Sequence, residues 1–394
     1  MTVIAQAEID AIQLVGESAH GRNGRRPRIA IAHDYLTQRG GAERVVMRLA
    51  EAFPDAPIIT SIYEPTTTFP EFADFNVQTI PWMQRVSTIR NDHRMGLGFY
   101  AAAFSRLRID ADVTICSSSG WAHGAQCSGR KIVYCHNPAR WVWQPDDYLR
   151  ELPRPVRVAA RLAAPALRRW DMRAAASADR YVSNSRVVAE RVRRAYGVAA
   201  EVIHPPHGVD MEGPLHPIAG IEPGFFLMVA RLQPYKNVDL ALRAIAEMPE
   251  HRLVVIGHGI DLARLEAMRP DNAIIIDHAD EAQLRWAYQS CVALVGLAHE
   301  DFGLTPIEAA AFGKPTVALR FGGYLDTVVE DVTGVLVDLT DQQLVQDAMH
   351  DAAARTWDAK AIEAHADRFA MDRFSDDIRA VVHSELASAA APSH

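Results

Sequence analysis

Two glutamates in the C-terminal half have the residue type and spacing to bind a sugar. In HEDFGLTPIEAAAFGKP (299–315), Glu300 and Glu308 are separated by seven residues. A carboxylate accepts hydrogen bonds from vicinal hydroxyls, so each glutamate suits recognition of a ribose or a hexose. Glu300 precedes a predicted helix, at a strand end, but Thr305-Pro306-Ile307-Glu308 is also typical of a capping box with proline at the first helical position. The pattern therefore leaves open a purely structural role for Glu308.

Neighbouring segments offer groups that bind phosphate. Gly303 and Leu304 would present backbone amides near the start of the same helix. Upstream, Arg231 and Lys236 in RLQPYKN follow a predicted strand, and Asn237 is a favourable N-cap for the next helix. Arginine forks onto phosphate oxygens and lysine acts as a point charge, so the pair would neutralise a nucleoside diphosphate leaving group. Taken alone, the pair is more typical of solvated surface cations.

The N-terminal half holds a second set of candidates. Gly40 and Gly41 lie between the first predicted strand and a helix, where a backbone can approach a ligand, although this motif alone favours a plain tight turn. No GxGxxG follows this strand, which argues against a dinucleotide oxidoreductase. His136 ends the predicted strand KIVYCH, and Asn137-Pro138 marks the turn after it. A histidine in this position is either a site residue or a structural one held by a backbone partner.

Strands and helices alternate along both halves of the chain. Short apolar strands such as RIAIA and FFLMVA are each followed by a helical pattern, which predicts an α/β fold of two doubly wound, Rossmann-like domains facing a cleft. Ligands of such sheets bind at the carboxyl ends of the strands. The predicted division is a flexible arm (1–27), an N-terminal domain (28–205), a C-terminal domain (206–360) that carries the two glutamates, and C-terminal helices (361–394) that could pack back on the N-terminal domain.

The composition favours a globular protein without a membrane-spanning segment or a metal site. The 394 residues are 49% hydrophobic and 23% charged, which is typical of globular domains, and no apolar stretch is long enough to span a bilayer. The first residues do not follow the order of a secretory signal, which predicts a cytoplasmic protein. Four cysteines lack CxxC or zinc spacing and no HExxH is present, so we expect free thiols and no metal.

Charge is uneven along the chain. Residues 1–210 carry 27 Lys+Arg and 21 Asp+Glu, which leaves 14 and 28 of the totals of 41 and 49 for the remainder. The first part is thus +6 and the second −14, and their sum is the net charge of −8. A basic N-terminal half suits an acidic acceptor or an anionic membrane, though incidental surface composition accounts for it equally well. The negative total and the lack of a known module argue against nucleic acid.

Residues 154–173 form a basic segment that contains six arginines among Ala, Leu, Val and Trp170. Such a helix can lie on an anionic membrane, peripherally and on its inner face, or can pack as an ordinary connecting helix. Pro165 would kink or end it. Trp141 and Trp143 could stack on an acceptor or belong to the core.

The combined motifs resemble glycosyltransferase family 4, a retaining family with the fold called GT-B. The resemblance rests on GGAERVV, YCHNPARWVW, VARLQPYKN and EDFGLTPIEAAAFGKPTVA followed by GG, and covers roughly residues 28 to 375. It implies that Glu300 contacts hydroxyls of the donor sugar, Glu308 holds the ribose, and Arg231 with Lys236 binds the diphosphate. It also implies that the Gly40-Gly41 loop approaches the donor and that His136 lies near the reacting sugar. Members typically act without a metal.

The YCHxPxR-W context resembles a bacterial subset that adds mannose, or another hexose, to lipid-linked surface glycans. The expected function is therefore retaining transfer of a hexose, from GDP-mannose, to a glycolipid or saccharide hydroxyl, with the nucleotide sugar as substrate and no cofactor. Gln144-Pro145 and the AHE segment before Glu300 depart from the commoner pattern, which puts the donor sugar in doubt. The alternatives are a UDP-sugar-dependent enzyme, such as an epimerase or another transferase, and an inactive nucleotide-sugar-binding module.

Overall fold

The structure is a computed structural model that describes residues 13–15, 26–144, 154–209 and 211–390. The chain divides into two compact units: residues 1–203 with 374–394, and residues 204–373. The sequence placed this division two residues later, near Pro205-Pro206. It also grouped 361–394 together, whereas residues 361–373 belong to the second unit and the end of the last helix to the first.

The first unit is built on a parallel seven-stranded sheet in the order β10-β9-β8-β6-β2-β3-β4. If these seven strands are renumbered 1 to 7 in chain order and read from the β4 edge, the order is 3-2-1-4-5-6-7. This is a doubly wound sheet whose direction of winding reverses between β2 and β6. β1, β5 and β7 form a small separate sheet. The strands of this unit are β1 (Gln13–Val15), β2 (Ile29–His33), β3 (Ile58–Thr60), β4 (Val77–Thr79), β5 (Arg108–Asp110), β6 (Val113–Ser118), β7 (Gln126–Cys127), β8 (Arg130–Cys135), β9 (Arg180–Ser183) and β10 (Glu201–Val202).

Helices connect these strands, as the alternation in the sequence predicts. The central strands β6 and β8 are almost wholly buried, because helices cover both faces of a parallel sheet. The α-helices of this unit are α1 (Gly41–Ala52), α2 (Pro81–Arg85), α3 (Ser87–Asn91), α4 (Tyr100–Arg106), α5 (Arg140–Trp143), α6 (Arg154–Ala176) and α7 (Arg186–Tyr196).

The second unit repeats the plan with a six-stranded parallel sheet in the order β13-β12-β11-β14-β15-β16. This is the 3-2-1-4-5-6 order, with the reversal between β11 and β14. The strands are β11 (Phe226–Val229), β12 (Leu253–Ile256), β13 (Ala273–Ile276), β14 (Ala293–Gly296), β15 (Thr316–Leu319) and β16 (Gly334–Val337). The helices are α8 (Val238–Ala246), α9 (Leu262–Met268), α10 (Glu281–Ser290), α11 (Leu304–Ala311), α12 (Tyr324–Thr327), α13 (Gln342–Ala354), α14 (Ala359–Ala366) and α15 (Met371–Ala390), the last ending in the first unit.

Two expectations about single elements are corrected. Pro165 lies inside α6, which continues to Ala176 rather than ending there. The predicted arm (1–27) falls mostly outside the described residues, but Gln13–Val15 pairs as a parallel strand with Arg108–Asp110 instead of being flexible. None of the described helices is long and apolar enough to cross a membrane.

The four cysteines are free, as expected, but only three of them are buried. Cys127 is half-buried beside Cys116. The pKa of its thiol is lowered to about 7, chiefly by a hydrogen bond with the Cys116 thiol. The same hydrogen bond, together with burial, holds the pKa of Cys116 well above its ordinary value.

Candidate functional site

The loops after β11 and β14 meet at the point where the strand order of the second unit reverses. Lys236, in the loop after β11, contacts the carboxylate of Glu300, in the loop after β14, through its Nζ atom. The side chains are 12% and 26% exposed, so the pair is partly shielded but reachable from solvent. This position outside the carboxyl ends of two neighbouring strands is the usual ligand site of a doubly wound sheet. Two motifs that the sequence keeps 64 residues apart therefore form one charged cluster.

Asn237 holds these two loops together in a way that the sequence did not predict. It occupies the N-cap position of α8, but its side chain caps no helix amide. It has a left-handed backbone conformation, with φ of 53°, and its side-chain amide donates to the Leu297 carbonyl at 2.7 Å. Asn237 is therefore the N-cap residue, as expected, but the expected capping by its side chain is wrong. The residue instead ties the loop of Lys236 to the loop of Glu300.

Glu308 does not form the capping box that was its structural alternative. Helix α11 begins at Leu304 with Gly303 as the N-cap, so Pro306 is the third helical residue and Glu308 the fifth. Glu308 is 4% exposed, and its Oε2 accepts a 2.6 Å hydrogen bond from the buried hydroxyl of Tyr288. The earlier helix start moves the glutamate past the first turn, where it could not reach back to the N-cap amide. Its ribose-binding role stays a prediction.

Three glycines shape the backbone around Glu300. Gly303 has φ of +87°, and a Cβ there would lie 2.7 Å from the buried ring of Tyr324. A Cβ on Gly322 would lie 2.2 Å from the Glu300 carbonyl oxygen, and the Gly323 amide donates to that same oxygen at 2.9 Å. The GG pair that the sequence showed downstream of the glutamates therefore supports the loop of Glu300 directly.

The remaining predicted donor-site residues of this unit lie nearby in the chain. Arg231 is exposed and donates from its guanidinium to the Tyr235 hydroxyl at 3.3 Å. The ring of Tyr235 also lies 4.9 Å from Lys236 Nζ, in cation–π contact. Leu304 is half-buried at the first residue of α11. Tyr235 thus contacts both cations predicted to bind diphosphate.

The corresponding reversal point of the first unit holds a chain of buried polar groups. His33 ends β2 and pairs across the sheet with Ser117 of β6. Ser117 Oγ lies 2.8 Å from Nε2 of His136, which follows β8. His33 Nδ1 lies 3.0 Å from the Ser117 carbonyl oxygen and 3.2 Å from Ser117 Oγ. His136, the predicted site residue, is therefore held by two residues that sequence reasoning missed.

The sequence contains only a weak indication that His33 and Ser117 lie beside His136. Each is a polar residue at the end of an apolar strand, and neighbouring parallel strands end on one edge of a sheet. Finding them requires the strand order, which places β2 and β8 on either side of β6.

Asp34, directly after His33, organises the loop that follows β6. Its buried carboxylate accepts hydrogen bonds from the backbone amides of Ser119 at 2.8 Å and Ala122 at 2.6 Å, and from that of Trp121. These bonds satisfy backbone donors that a buried loop would otherwise leave unpaired. Asp34 is accordingly a scaffold residue of this edge.

Gly40 and Gly41 lie where the sequence predicted, at the start of a helix. Gly41 is the first residue of α1 and Gly40 its N-cap. Glu43, in the first turn, is 1% exposed, and a Cβ on Gly40 would lie 2.4 Å from its Oε2. A carboxylate therefore fills space beside the loop that was expected to approach a phosphate.

The two tryptophans after His136 pack within the unit. Trp141 stacks on Trp121 with ring centroids 4.1 Å apart. The indole of Trp143 donates to Asp171 at 2.7 Å, and Arg168 lies 4.2 Å from its ring centroid. Of the two interpretations left open, the structure shows internal packing.

The fold brings several histidines close to acidic residues. Two groups bring possible metal-ligand atoms within 4.8 Å of one another in the described residues. One joins His258, Asp277 and His278 after β12 and β13, all exposed, and the other joins Glu250, His251 and His350. In each group an adjacent pair is joined by a histidine 19 or more residues away, a separation that matches none of the metal-binding spacings sought in the sequence.

Comparisons with known proteins identify the class and then the family. A family profile described as "Glycosyltransferase Family 4" matches residues 39–212, and one described as "Glycosyl transferases group 1" matches residues 218–365. Both units are thus covered by profiles of sugar-transferring enzymes. The chain belongs to glycosyltransferase family 4.

Curated relatives match part of the chain. A D-inositol 3-phosphate glycosyltransferase of Segniliparus rotundus is 30% identical over 240 residues, 54% of this chain and 53% of that protein. A GDP-mannose-dependent alpha-(1-6)-phosphatidylinositol monomannoside mannosyltransferase of Mycolicibacterium smegmatis is 28% identical over 232 residues, 52% of this chain and 60% of that protein. The match thus spans little more than half the length of these relatives.

Solved structures confirm the fold. HepE of Anabaena, solved with UDP-glucose, has a TM-score of 0.67 at 16% identity and covers 91% of this chain and 100% of its own. Sucrose-phosphate synthase of Thermosynechococcus elongatus has a TM-score of 0.67 at 18% identity, covering 92% and 100%. The predicted GT-B architecture of two Rossmann-like domains is therefore correct.

Proposed function

We propose that this chain transfers a hexose from a nucleotide sugar to a hydroxyl of a glycolipid or saccharide acceptor, with retention at the anomeric carbon. The observation that carries the proposal is the contact between Lys236 and Glu300 at the reversal point of the second sheet. It supports the proposal because a lysine can neutralise a leaving diphosphate and a carboxylate can accept hydrogen bonds from sugar hydroxyls.

The proposed reaction depends on stabilising the negative charge of the leaving diphosphate rather than on a nucleophile from the protein. The bond between the anomeric carbon and the diphosphate oxygen breaks, a bond to the acceptor oxygen forms, and the acceptor proton passes to the departing phosphate. Arg231 and Lys236 stabilise the negative charge that develops on the diphosphate. The amides at Gly303 and Leu304 add backbone donors at a helix N-terminus. In this assignment Glu300 orients the sugar and Glu308 binds the ribose.

In the first unit, we assign His136 to binding or polarising the transferred sugar and the Gly40-Gly41 loop to approaching the donor. We favour mannose from GDP-mannose because a relative of 28% identity is a GDP-mannose-dependent mannosyltransferase. We further propose that the reaction needs no metal and that the chain acts in the cytoplasm.

The exposed face of α6 supports an acceptor carried on a membrane. Val158, Leu162 and Met172 are 58%, 79% and 48% exposed at spacings that place them on one side of the helix. Arg161 borders this apolar stripe and Arg169 lies within it, and both are exposed. Apolar residues lined by arginines suit the boundary between headgroups and acyl chains of an anionic membrane. Cosedimentation with anionic vesicles should fall in a Leu162→Asp variant, and equal binding would remove this part of the proposal.

The function is tested first by ligand-induced thermal shifts. Wild type and Lys236→Ala are heated with GDP, UDP, ADP, TDP and their common sugar conjugates, because a ligand that binds the native state raises its midpoint. A shift with one base that is lost in the variant identifies the donor class, and transfer to a hydroxyl acceptor is then assayed with that donor. Steady donor turnover without transfer would support an epimerase or hydrolase, and binding without turnover an inactive module.

A further inference from the structure

The buried chain His33–Ser117–His136 leaves few possible positions for its hydrogen atoms. Ser117 is fully buried, and His33 and His136 are 2% and 8% exposed. Ser117 Oγ lies 2.8 Å from His136 Nε2 and 3.2 Å from His33 Nδ1. With so little water access, each hydrogen in the chain needs a protein partner.

The direction of these hydrogen bonds follows from one fixed group. The Ser117 carbonyl can only accept, so His33 Nδ1, 3.0 Å away, must carry a hydrogen and donate it. That same N–H also points at Ser117 Oγ, where the oxygen accepts. Among the described residues, the remaining contact of Ser117 Oγ is His136 Nε2, so the hydroxyl hydrogen is donated there. A neutral His136 then carries its own proton on Nδ1.

The backbone keeps this geometry rigid. His33 and Ser117 are paired in the parallel ladder between β2 and β6. The His136 amide donates to the Ser118 carbonyl at 3.0 Å, and the Asn184 side chain donates to the His136 carbonyl at 3.3 Å. The imidazole of His136 is thus fixed at its backbone and at one ring nitrogen.

We propose that Ser117 is a positioning residue for His136, with His33 fixing the serine in turn. The inference rests on the proposed function, because it assigns to Ser117 the control of the residue that binds the transferred sugar. Ser117 selects the Nδ1–H tautomer and one ring orientation, so that His136 presents the same hydrogen-bonding pattern to every donor molecule. This is the role that a histidine's partner has in other sites, where the bond at one ring nitrogen sets the state of the other.

The experiment compares Ser117→Ala with a matched control, Ser118→Ala. Ser118 is the next residue of β6 and is equally buried, but its hydroxyl is 3.0 Å from His123 Nδ1 rather than near His136. Imidazole 15N chemical shifts, assigned with a His136→Gln variant, report the tautomer of His136. Steady-state kinetics with the identified donor report kcat and KM. Thermal midpoints confirm that both alanine variants are folded.

We expect wild type and Ser118→Ala to show the Nδ1–H tautomer and Ser117→Ala to show a mixture of both. We also expect kcat/KM of Ser117→Ala to fall by about tenfold to a hundredfold, as it does when the partner of a histidine ligand is removed. A wild-type His136 protonated on Nε2, or a Ser117→Ala variant with unchanged tautomer, overturns the proposal.

Failure of the positioning role can be separated from failure of the proposed function. An active wild type whose Ser117→Ala variant is equally active overturns the positioning role alone. A wild type that turns over no donor overturns the proposed function, and with it any role for Ser117 in sugar binding, although the tautomer shifts still decide the direction of the hydrogen bonds.

Discussion

The two units have the same sheet plan but different chemistry at the point where their strand order reverses. In the second unit the reversal point carries opposite charges, Lys236 and Glu300, which are partly exposed. In the first unit it carries His33, Ser117 and His136, all buried and linked by hydrogen bonds. The same fold therefore provides a charged, solvent-accessible cluster in one place and a shielded hydrogen-bonded chain in the other.

The difference matters because the two kinds of site suit different tasks. A charged cluster near water can exchange its internal ion pair for contacts with a phosphate and a sugar. A buried chain gains from the low local dielectric and holds a single geometry, since an unpaired polar group there is costly. We therefore expect variants of the second unit to affect nucleotide binding and turnover, and those of the first unit to affect the orientation of His136.

The largest effect should come from Glu300→Gln in the charged cluster. The amide keeps the size of the side chain but loses the carboxylate that we assign to the sugar, so kcat should fall about 100-fold to 1,000-fold. Affinity for the nucleoside diphosphate should persist or rise, because Lys236 no longer has a competing carboxylate. Calorimetric titration and steady-state kinetics would measure both. Parallel losses of binding and turnover would contradict the separation of roles.

The second effect is on the stability of the loop that carries this cluster. Gly303→Ala places a side chain at φ of +87° and 2.7 Å from Tyr324. We expect a loss of about 3 kcal/mol in the free energy of unfolding, from strain and the ring clash together. Gly220→Ala is the matched control, because it has φ of +78° with nothing within 4 Å of the added Cβ. Equal losses in urea denaturation would show that the Tyr324 contact is irrelevant.

Gly40→Ala extends the comparison of the two units to the glycine loop of the first unit, which is predicted to approach the donor. Its φ is −116°, and the nearest atom to an added Cβ is the end of the Glu43 side chain. A side-chain carboxylate can shift more easily than a ring held in a core, so the loss should be smaller than for Gly303→Ala. The same denaturation experiment ranks the two, and the reverse ranking would refute this argument.

A moderate effect is expected for Lys236→Ala. Removing the ammonium should weaken nucleoside diphosphate binding by about tenfold to thirtyfold, which is about 1.4 to 2 kcal/mol. The remaining affinity should also depend less on salt, since one charged contact is gone. Lys360→Ala, an exposed lysine elsewhere in the same unit, is the control and should bind like wild type. Calorimetry at two salt concentrations distinguishes a specific contact from a general loss of charge.

An effect on stability rather than on nucleotide binding is expected for Tyr288→Phe, which removes a donor to the buried Glu308 carboxylate. Loss of one hydrogen bond to a charged acceptor should cost about 1.5 to 3 kcal/mol of unfolding free energy, or less where Glu308 binds other donors. Tyr235→Phe changes a tyrosine that is 40% exposed and should leave stability unchanged. Equal stability of all three proteins would mean that Tyr288 contributes nothing to the position of Glu308.

The smallest effect should come from removal of metal. The proposed chemistry uses Arg231, Lys236 and backbone amides to stabilise the diphosphate, so EDTA should leave kcat/KM unchanged. The exposed His258, Asp277 and His278 group makes this test worthwhile, because it could bind added zinc. A loss of turnover with EDTA that added metal restores would overturn the metal-free mechanism.

Sequence patterns were enough to predict the fold class and the main candidates of the second unit. Apolar strands of four to six residues alternating with helices predict parallel sheets, because such strands are buried on both faces. The residue types and spacing of Arg231, Lys236, Glu300 and Glu308 point to a nucleotide-sugar site only in combination, and that site stays a prediction. Local patterns suffice here because the loops that carry these residues directly follow their strands.

How these residues are used depends on contacts that form only in the folded chain. Strand order brings Lys236 to Glu300 across 64 residues and His33 to Ser117 across 84, and no local pattern encodes a separation of that length. Local rules also failed where tertiary contacts were stronger: Asn237 bonds to Leu297 instead of capping α8, and Glu308 accepts from Tyr288 instead of closing a capping box. Propensity acts over a few residues, whereas a buried polar group takes the partner that the fold provides.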